Sequence, residues 1–372
     1  MKLAIFFVVF AVVACSSQET GDTLKLVHVF FRHGARTPES KDEYPNDPYK
    51  YETFLPMGWG QLTNYGKRQA YALGKNLRRR YGSFLGDIYT PELVHAQSTD
   101  YDRTKMSAIL ALAGMFPPAP SQQWDDTLNW LPIPISYERD HLDFTLRRPN
   151  HYCPAYLREL DRVLQSEQAK EYLKKNKNVL DYVEENSGRP MNKLMDVFSI
   201  YQTLTAERGM NLTLPEWSKS VYPHGITEIA AKQCELENSN KILKRLNGGR
   251  SLKMVVNNML AKATHNLRPR ERKIFLFSGH ENNVINVLAA MDLYKAHFPS
   301  YSSAVIIELH YLSDEDEYAV KVFYVKNVNE EAEEKQLKGC EVLCPLTKFL
   351  EIVEPHLPLN YTAECESDIF LS

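Results

Sequence analysis

LKLVHVFFRHGARTP, residues 24–38, begins as an almost unbroken apolar run and ends in a cluster of cationic side chains. An apolar run of this length predicts a strand that is buried on both faces, as in the middle of a parallel sheet. Arg32, His33 and Arg36 follow the last apolar residue directly, and Gly34 permits a tight turn among them. Open α/β sheets bind ligands at the carboxyl ends of their strands. Two guanidiniums and an imidazole at this position therefore predict an anion site that contains a nucleophile.

Two later segments show the same order of strand, polar turn and helix. Residues 92–97 predict a second strand, and the helix that follows carries Arg103 in its first turn. Residues 273–278 predict a third strand, which is followed by His280, Glu281 and another helix. Free backbone N–H groups and the helix dipole make a helix N-terminus favourable for an anion. We therefore expect Arg103, His280 and Glu281 to join the cationic cluster that follows the first strand.

The 372 residues suffice for one large domain with an elaborated insertion or for two closely packed domains. Residues 18–115 and 270–372 carry the strand patterns, whereas residues 116–269 predict helices without strong strands. We therefore predict a central, largely parallel sheet in an α/β domain made of the two outer segments, with a helical segment inserted between them. Residues 304–312 and 318–325 alternate apolar and polar side chains around an acidic turn, which predicts a hairpin at the sheet edge.

Composition excludes some classes of partner. The formal net charge of −3 provides no global basic field that would attract nucleic acid. No second cysteine pair and no histidine pair has the spacing of metal ligands, so neither a metal nor another cofactor is expected.

The N-terminus has the pattern of a secretory signal peptide over residues 1–17. Lys2 precedes an apolar run over residues 3–13, and small residues follow it. That run is too short for a comfortable membrane span, and no later apolar run is long enough. Residues 13–15, Val-Ala-Cys, also resemble a bacterial lipoprotein box, which would anchor the protein through an acylated Cys15.

Two N-glycosylation sequons begin at Asn211 and Asn360. They favour a eukaryotic secretory pathway over the lipoprotein alternative. We therefore expect a soluble, secreted glycoprotein without a membrane span.

Three motifs resemble signatures of the histidine acid phosphatases, a branch of the histidine phosphatase superfamily. RHGARTP begins at Arg32, GWGQLTNYG at Gly58 and STDYDRTKMSA at Ser98. The resemblance covers most of the mature chain and implies a phosphoglycerate mutase-like α/β fold with a helical lid. It also implies a secreted acid phosphatase of the venom type, or of the prostatic or lysosomal type, that hydrolyses small phosphate monoesters.

The resemblance implies a role for each residue of the predicted site. His33 is the expected nucleophile, which forms a phosphohistidine that water hydrolyses without a metal. The expected phosphate ligands are Arg32, Arg36, Arg103 and His280. Guanidiniums neutralise the charge of a phosphate monoester and bind its oxygens in pairs. They also lower the pKa of a nearby imidazole, so His33 is expected to stay unprotonated in acid.

Glu281 is the expected proton donor to the leaving alkoxide, although it departs from the family pattern, which has aspartate after the histidine. Its extra methylene matters because misplacing a catalytic group by about 1 Å can cost roughly a hundredfold in rate. Two functions therefore stay open. The first is an acid phosphatase, and the alternative is a secreted protein that scavenges a small ligand on a phosphatase scaffold with weakened turnover. A second departure is Gln97, where relatives carry an arginine.

Other members of the superfamily fit less well. A phosphoglycerate mutase-like enzyme would not explain the signal peptide, the cysteines or the chain length. A phytase-like preference lacks a basic cluster that could be assigned to a polyphosphate pocket. Dimers are common in the family, and the sequence identifies no interface.

The number of cysteines is odd once Cys15 is removed. The environment of an exported protein permits disulfides, so one thiol is expected to be left over. The resemblance implies a short loop closed by Cys340 and Cys344 and a long-range bridge from Cys153 to Cys365. Cys234 matches no family cysteine, so it is expected to be a free thiol or an intermolecular link.

Overall fold

A computed structural model describes residues 23–147, 149 and 152–366. The predicted signal peptide and Cys15 lie outside the described residues. Within these residues, no helix is long and apolar enough to cross a membrane.

One sheet runs through the described part of the chain, with the strand order β3-β2-β4-β1-β5-β6-β7 and with β8 paired to β6. Its strands are β1 (Leu24–Arg32), β2 (Val94–Ser98), β3 (Ser136–Tyr137), β4 (Ile274–Gly279), β5 (Ala304–Leu312), β6 (Glu317–Val325), β7 (Glu333–Lys335) and β8 (Cys344–Pro345). β1, β2, β3 and β4 are parallel to one another, whereas β5 is antiparallel to β1. The predicted α/β class is confirmed.

The register of the parallel strands aligns the ends that carry the predicted site. Arg32 at the end of β1 lies opposite Gly279 on β4, and Ser98 at the end of β2 lies opposite Ser278. The residues that follow β1, β2 and β4 therefore leave the sheet side by side, which brings together segments that are far apart in sequence.

The helices lie before, between and after these strands. They are α1 (Asn64–Leu85), α2 (Asp102–Met115), α3 (Pro154–Leu164), α4 (Glu167–Lys175), α5 (Lys177–Ser187), α6 (Leu194–Gly209), α7 (His224–Leu236), α8 (Lys241–Leu246), α9 (Gly249–Ala263), α10 (Glu281–Ala290), α11 (Leu346–Val353) and α12 (Tyr361–Glu366).

Helices cover both faces of β1, which explains its apolar run. Leu26 and Phe30 pack with α9 and α10 on one face, while Val27, Val29 and Phe31 pack with α1 and α2 on the other. Successive side chains of a strand point to opposite faces, so a strand covered on both sides requires apolar residues at nearly every position.

A separate apolar cluster joins helices α3 to α8 and also includes Tyr44, Ile285 and Cys365. Ile285 belongs to α10, so the helix that follows β4 packs directly against this cluster. The division of the chain at residues 116 and 269 stays a prediction. Within that range, β3 pairs with β2, and α9 packs in the core of the sheet.

The predicted hairpin is confirmed as β5 and β6. Its predicted position at the sheet edge is wrong, because β7 and β8 pair with the outer side of β6. These short strands cover backbone groups that an edge strand would leave open to another chain.

Two disulfides join Cys153 to Cys365 and Cys340 to Cys344, the pairings that the resemblance implied. Cys234 belongs to neither and is buried in the helical cluster. This burial makes an intermolecular link through Cys234 incompatible with the packing seen here.

Candidate active site

The turn after β1 is held against α1 by two glycines. A Cβ atom on Gly34 would lie 2.1 Å from the carbonyl oxygen of Gly66, and one on Gly66 would lie 2.0 Å from that of Ala35. Any larger residue at either position would push the turn away from the helix. The glycines of the first two sequence motifs therefore serve the same close contact, which fixes the position of His33.

His33 is buried, and its hydrogen bonds define its tautomer. Its Nδ1 lies 2.7 Å from the carbonyl oxygen of Gly34. A carbonyl oxygen only accepts, so Nδ1 carries the proton and Nε2 keeps its lone pair. Nε2 accepts a hydrogen bond from Nε of Arg103 at 3.2 Å. Burial, followed by the charges of Arg103 and Arg32, lowers the pKa of His33 well below its ordinary value.

This lowered pKa makes a testable prediction. The neutral form of His33 should persist as the pH falls through the ordinary histidine range, because protonation would bury a charge beside arginines. The measurement is an NMR pH titration of ¹⁵N-histidine-labelled protein, in which the His33 resonance is assigned by its absence from a His33→Ala variant. We expect the chemical shift of that resonance to show no inflection between about pH 5 and 8. An inflection of the His33 resonance near the ordinary histidine value would contradict this electrostatic account.

Three arginines surround His33. Arg36 donates from Nη2 to Oε1 of Gln202 at 3.2 Å. Arg32 donates from Nη1 to the Pro299 carbonyl at 2.7 Å and stacks 4.0 Å from the ring centroid of Tyr301. Nη2 of Arg32 is buried and has no hydrogen-bond partner among the described residues. A buried guanidinium donor left unsatisfied is costly, so this atom favours binding of an anion.

His280 and Glu281 lie at the N-terminus of α10, as the sequence predicted. Nε2 of His280 lies 3.0 Å from Oγ1 of Thr99, and its ring centroid lies 5.5 Å from that of His33. Burial, followed by the charge of Arg103, lowers the pKa of His280. Glu281 accepts a hydrogen bond from Nε2 of Gln202 at 3.2 Å, and its other oxygen lies 3.4 Å from Nε of Arg32.

A cavity of about 290 Å³ is lined by His33, Arg36, Arg103, His280 and Glu281. The structure therefore brings these predicted residues into one pocket. Arg32 does not line the cavity, and its Nε lies 3.4 Å from the Glu281 carboxylate that does. Gln97 does not line this cavity and pairs instead with β3 and β4. A larger cavity of about 630 Å³, near the other end of β1, is lined by none of the predicted site residues. Among the described residues, no group of His, Cys, Asp or Glu is placed to hold a metal ion.

Several polar residues of the pocket lining were missed by sequence reasoning, and Glu39 and Gln202 are two of them. Glu39 follows the first motif directly and forms an ion pair with Arg103 at 2.8 Å. Its position one residue beyond RHGARTP was a usable signal. Gln202 comes from α6, about 170 residues after His33, and bridges Arg36 and Glu281. No local pattern marks it, because its role depends on how α6 packs over the site.

The fold and the pocket define a class of protein. It is an α/β protein in which a buried, unprotonated histidine lies among arginines at the carboxyl ends of parallel strands. Residues 23–325 match the sequence profile described as the histidine phosphatase superfamily, branch 2. The chain belongs to this superfamily.

Its relatives include acid phosphatases. The chain is 44% identical over 345 residues to venom acid phosphatase Acph-1 of Apis mellifera, covering 92% of this chain and 88% of the relative. It is 32% identical to the lysosomal acid phosphatase of Homo sapiens, covering 92% of this chain and 80% of the relative. The solved structure of a phytase from Citrobacter braakii matches with a TM-score of 0.69 at 15% identity, covering 92% of this chain and 99% of the phytase. The last comparison supports the fold alone.

Proposed function

We propose that the protein is an acid phosphatase that hydrolyses phosphate monoesters through a phosphohistidine. The observation that carries this proposal is the tautomer of His33, whose Nε2 keeps its lone pair beside Arg103. Relatives with acid phosphatase names support the same activity. The comparisons give no support to the alternative, a ligand scavenger.

The proposed first step transfers the phosphoryl group to His33. Nε2 attacks phosphorus, the N–P bond forms, and the bond from phosphorus to the ester oxygen breaks. Arg32, Arg36 and Arg103 neutralise the charge on the phosphoryl oxygens, which would otherwise repel the nucleophile. Nε2 of His280 is held by Thr99, and the other ring nitrogen, Nδ1, can donate a hydrogen bond only if the ring rotates or gains a proton. We therefore assign His280 to binding the phosphoryl group and not to proton transfer.

The second step returns the enzyme to its starting state. Water attacks phosphorus, the N–P bond breaks, and orthophosphate leaves with His33 neutral again. Glu281 enters the proposed first step in its protonated form and gives that proton to the leaving oxygen. Its carboxylate then takes a proton from the attacking water in the second step. Its carboxylate is held by Gln202 and Arg32, which gives the longer side chain a defined position in place of the family aspartate.

Replacing Glu281 by glutamine tests this role through the leaving group. We expect kcat/KM for an alkyl phosphate to fall about 10²–10³-fold, since an alkoxide needs a proton as it leaves. For a nitrophenyl phosphate, whose phenolate leaves without one, we expect a loss of about tenfold or less. Glu281→Asp is the matched control and should retain most activity on both substrates. Equal losses on both substrates would instead assign Glu281 to holding Arg32.

The activity itself is tested by steady-state hydrolysis of an aryl phosphate at acidic pH with EDTA present. We expect saturable turnover that EDTA does not affect. If the folded protein shows no turnover at every pH tested between about 4 and 7, the proposal is excluded.

We further propose that the protein is exported and glycosylated. Asn211 and Asn360 are both exposed, as an acceptor asparagine must be. One relative is named for venom and another for the lysosome, so export to the medium and delivery to the lysosome are the two destinations to compare. A homodimer stays a prediction from the family resemblance.

A further inference from the structure

Glu39 places a carboxylate among the arginines of the pocket. Its Oε1 lies 2.8 Å from Nη2 of Arg103 and 3.8 Å from Nη2 of Arg36, and its Oε2 lies 3.0 Å from Nζ of Lys41. A carboxylate and a phosphate present similar oxygen pairs to a guanidinium. Glu39 therefore occupies a donor of Arg103 and forms a longer ion pair with Arg36, and the proposed function assigns both arginines to the substrate.

We propose that Glu39 is an internal competitor for the anion site, which limits how tightly the pocket holds phosphate and so favours release of the product. This inference rests on the proposed role of Arg36 and Arg103 as phosphate ligands. It adds a residue that sets affinity and takes no part in bond making or breaking.

The hydrogen bonds of Arg103 show why the competition is direct. Its Nε donates to His33, its Nη1 to the carbonyl oxygen of Gly60 at 3.4 Å, and its Nη2 to Glu39. A guanidinium has five N–H donors, and most of those on Arg103 already have an acceptor. Nη2 has two N–H groups, which face Glu39 at 2.8 Å and Nδ1 of His280 at 3.5 Å. A phosphate oxygen that takes the shorter and stronger of these contacts must displace the Glu39 carboxylate.

The charge of Glu39 persists in the conditions in which an acid phosphatase works. Burial alone would raise the pKa of Glu39, but Arg36, Arg103 and Lys41 outweigh burial and lower the pKa to about 2. The other acidic side chains of the pocket are Asp42 and Glu281. Glu281 pairs with Arg32 instead of Arg103, so it does not duplicate the contact made by Glu39.

The position of Glu39 in the chain allows it to leave the arginines. It lies after the strand and its turn, at the residue before a short 3₁₀ helix over Ser40–Asp42. Its third partner, Lys41, is 71% exposed in its side chain. A rotation of the Glu39 side chain towards solvent therefore keeps one ion pair while freeing Arg36 and Arg103 for the substrate.

Glu39→Gln tests the proposal, with Glu43→Gln as the matched control. Glu43 lies in the same loop and pairs with Lys50 at 2.9 Å, outside the pocket lining, so both variants lose one negative charge. Isothermal titration with inorganic phosphate gives the affinity without requiring turnover. Product inhibition by phosphate, KM and kcat for an aryl phosphate complete the measurement.

We expect Glu39→Gln to bind phosphate about tenfold more tightly or more, to show a similar fall in KM, and to show no rise in kcat. Glu43→Gln should match the wild-type protein. Unchanged or weaker phosphate binding in folded Glu39→Gln would overturn the proposal and would assign Glu39 to positioning Arg103.

The two proposals fail in different ways. If the wild-type protein turns over substrate while Glu39→Gln binds phosphate no more tightly, the phosphatase stands and the competitor role is excluded. If the wild-type protein shows no turnover while Glu39→Gln tightens phosphate binding, the competitor role stands and the phosphatase is excluded.

Discussion

His33→Ala is expected to lower kcat/KM for an aryl phosphate by about 10³-fold or more. The reason is that the imidazole supplies the atom that bonds to phosphorus. The other imidazole of the pocket, His280, is held by Thr99, and its ring centroid lies 5.5 Å from that of His33. Arg103, which donates a hydrogen bond to Nε2, is cationic and carries no lone pair for attack. The arginines should still bind the phosphoryl group, so inorganic phosphate should bind to the variant.

The control for this variant is His224→Ala. His224 is exposed at the start of α7 and does not line the pocket, so its loss should leave the rate within about twofold of wild type. A phosphohistidine is destroyed by acid and is stable in base. After reaction with labelled substrate, we expect base-stable, acid-labile phosphate on the wild-type protein and on His224→Ala. We expect none on His33→Ala. Substantial turnover by folded His33→Ala would exclude the covalent mechanism.

Removal of the long-range disulfide is expected to have the largest effect on stability. The double variant Cys153→Ala/Cys365→Ala should lower the free energy of unfolding by about 3–5 kcal/mol. The two cysteines are 212 residues apart in sequence, so the bridge restricts the unfolded chain strongly. It also joins the start of α3 to α12, and both cysteines are buried in the helical cluster.

The second disulfide provides an internal comparison for this loss of stability. Cys340 and Cys344 are 4 residues apart, so removing their bridge should cost about 2 kcal/mol by the same chain-entropy argument. Chemical denaturation of both double variants measures the two losses. A loss for Cys153→Ala/Cys365→Ala no greater than that for the short-loop variant would contradict this account.

Much of the fold could be predicted from local sequence. The apolar run of β1 predicted a strand buried on both faces, and the structure places apolar side chains of β1 in separate clusters on the two faces of the sheet. The alternation in residues 304–325 predicted the β5–β6 hairpin. Its place in the sheet could not be predicted, because β7 and β8 have two or three residues each and carry too little pattern to identify.

The composition of the site was predictable only in part. Arg32, His33 and Arg36 are neighbours in sequence, and Arg103, His280 and Glu281 each lie near the start of a helix that follows a strand. The ends of parallel strands meet at one edge, so this pattern was sufficient to group them. Their catalytic and binding roles stay proposals that the variants above test.

The sequence by itself determined the class of fold and the residue types gathered at the carboxyl end of the sheet, because strand burial and strand–turn–helix order are local properties of the chain. Only the tertiary structure decided which of these groups touch. Gln202 reaches Arg36 and Glu281 across the packing of α6, and the Gly34–Gly66 contact sets the position of His33. The ion pair between Glu39 and Arg103 likewise joins side chains 64 residues apart. Distances between side chains depend on packing among remote segments, which periodicity and spacing along the chain do not specify.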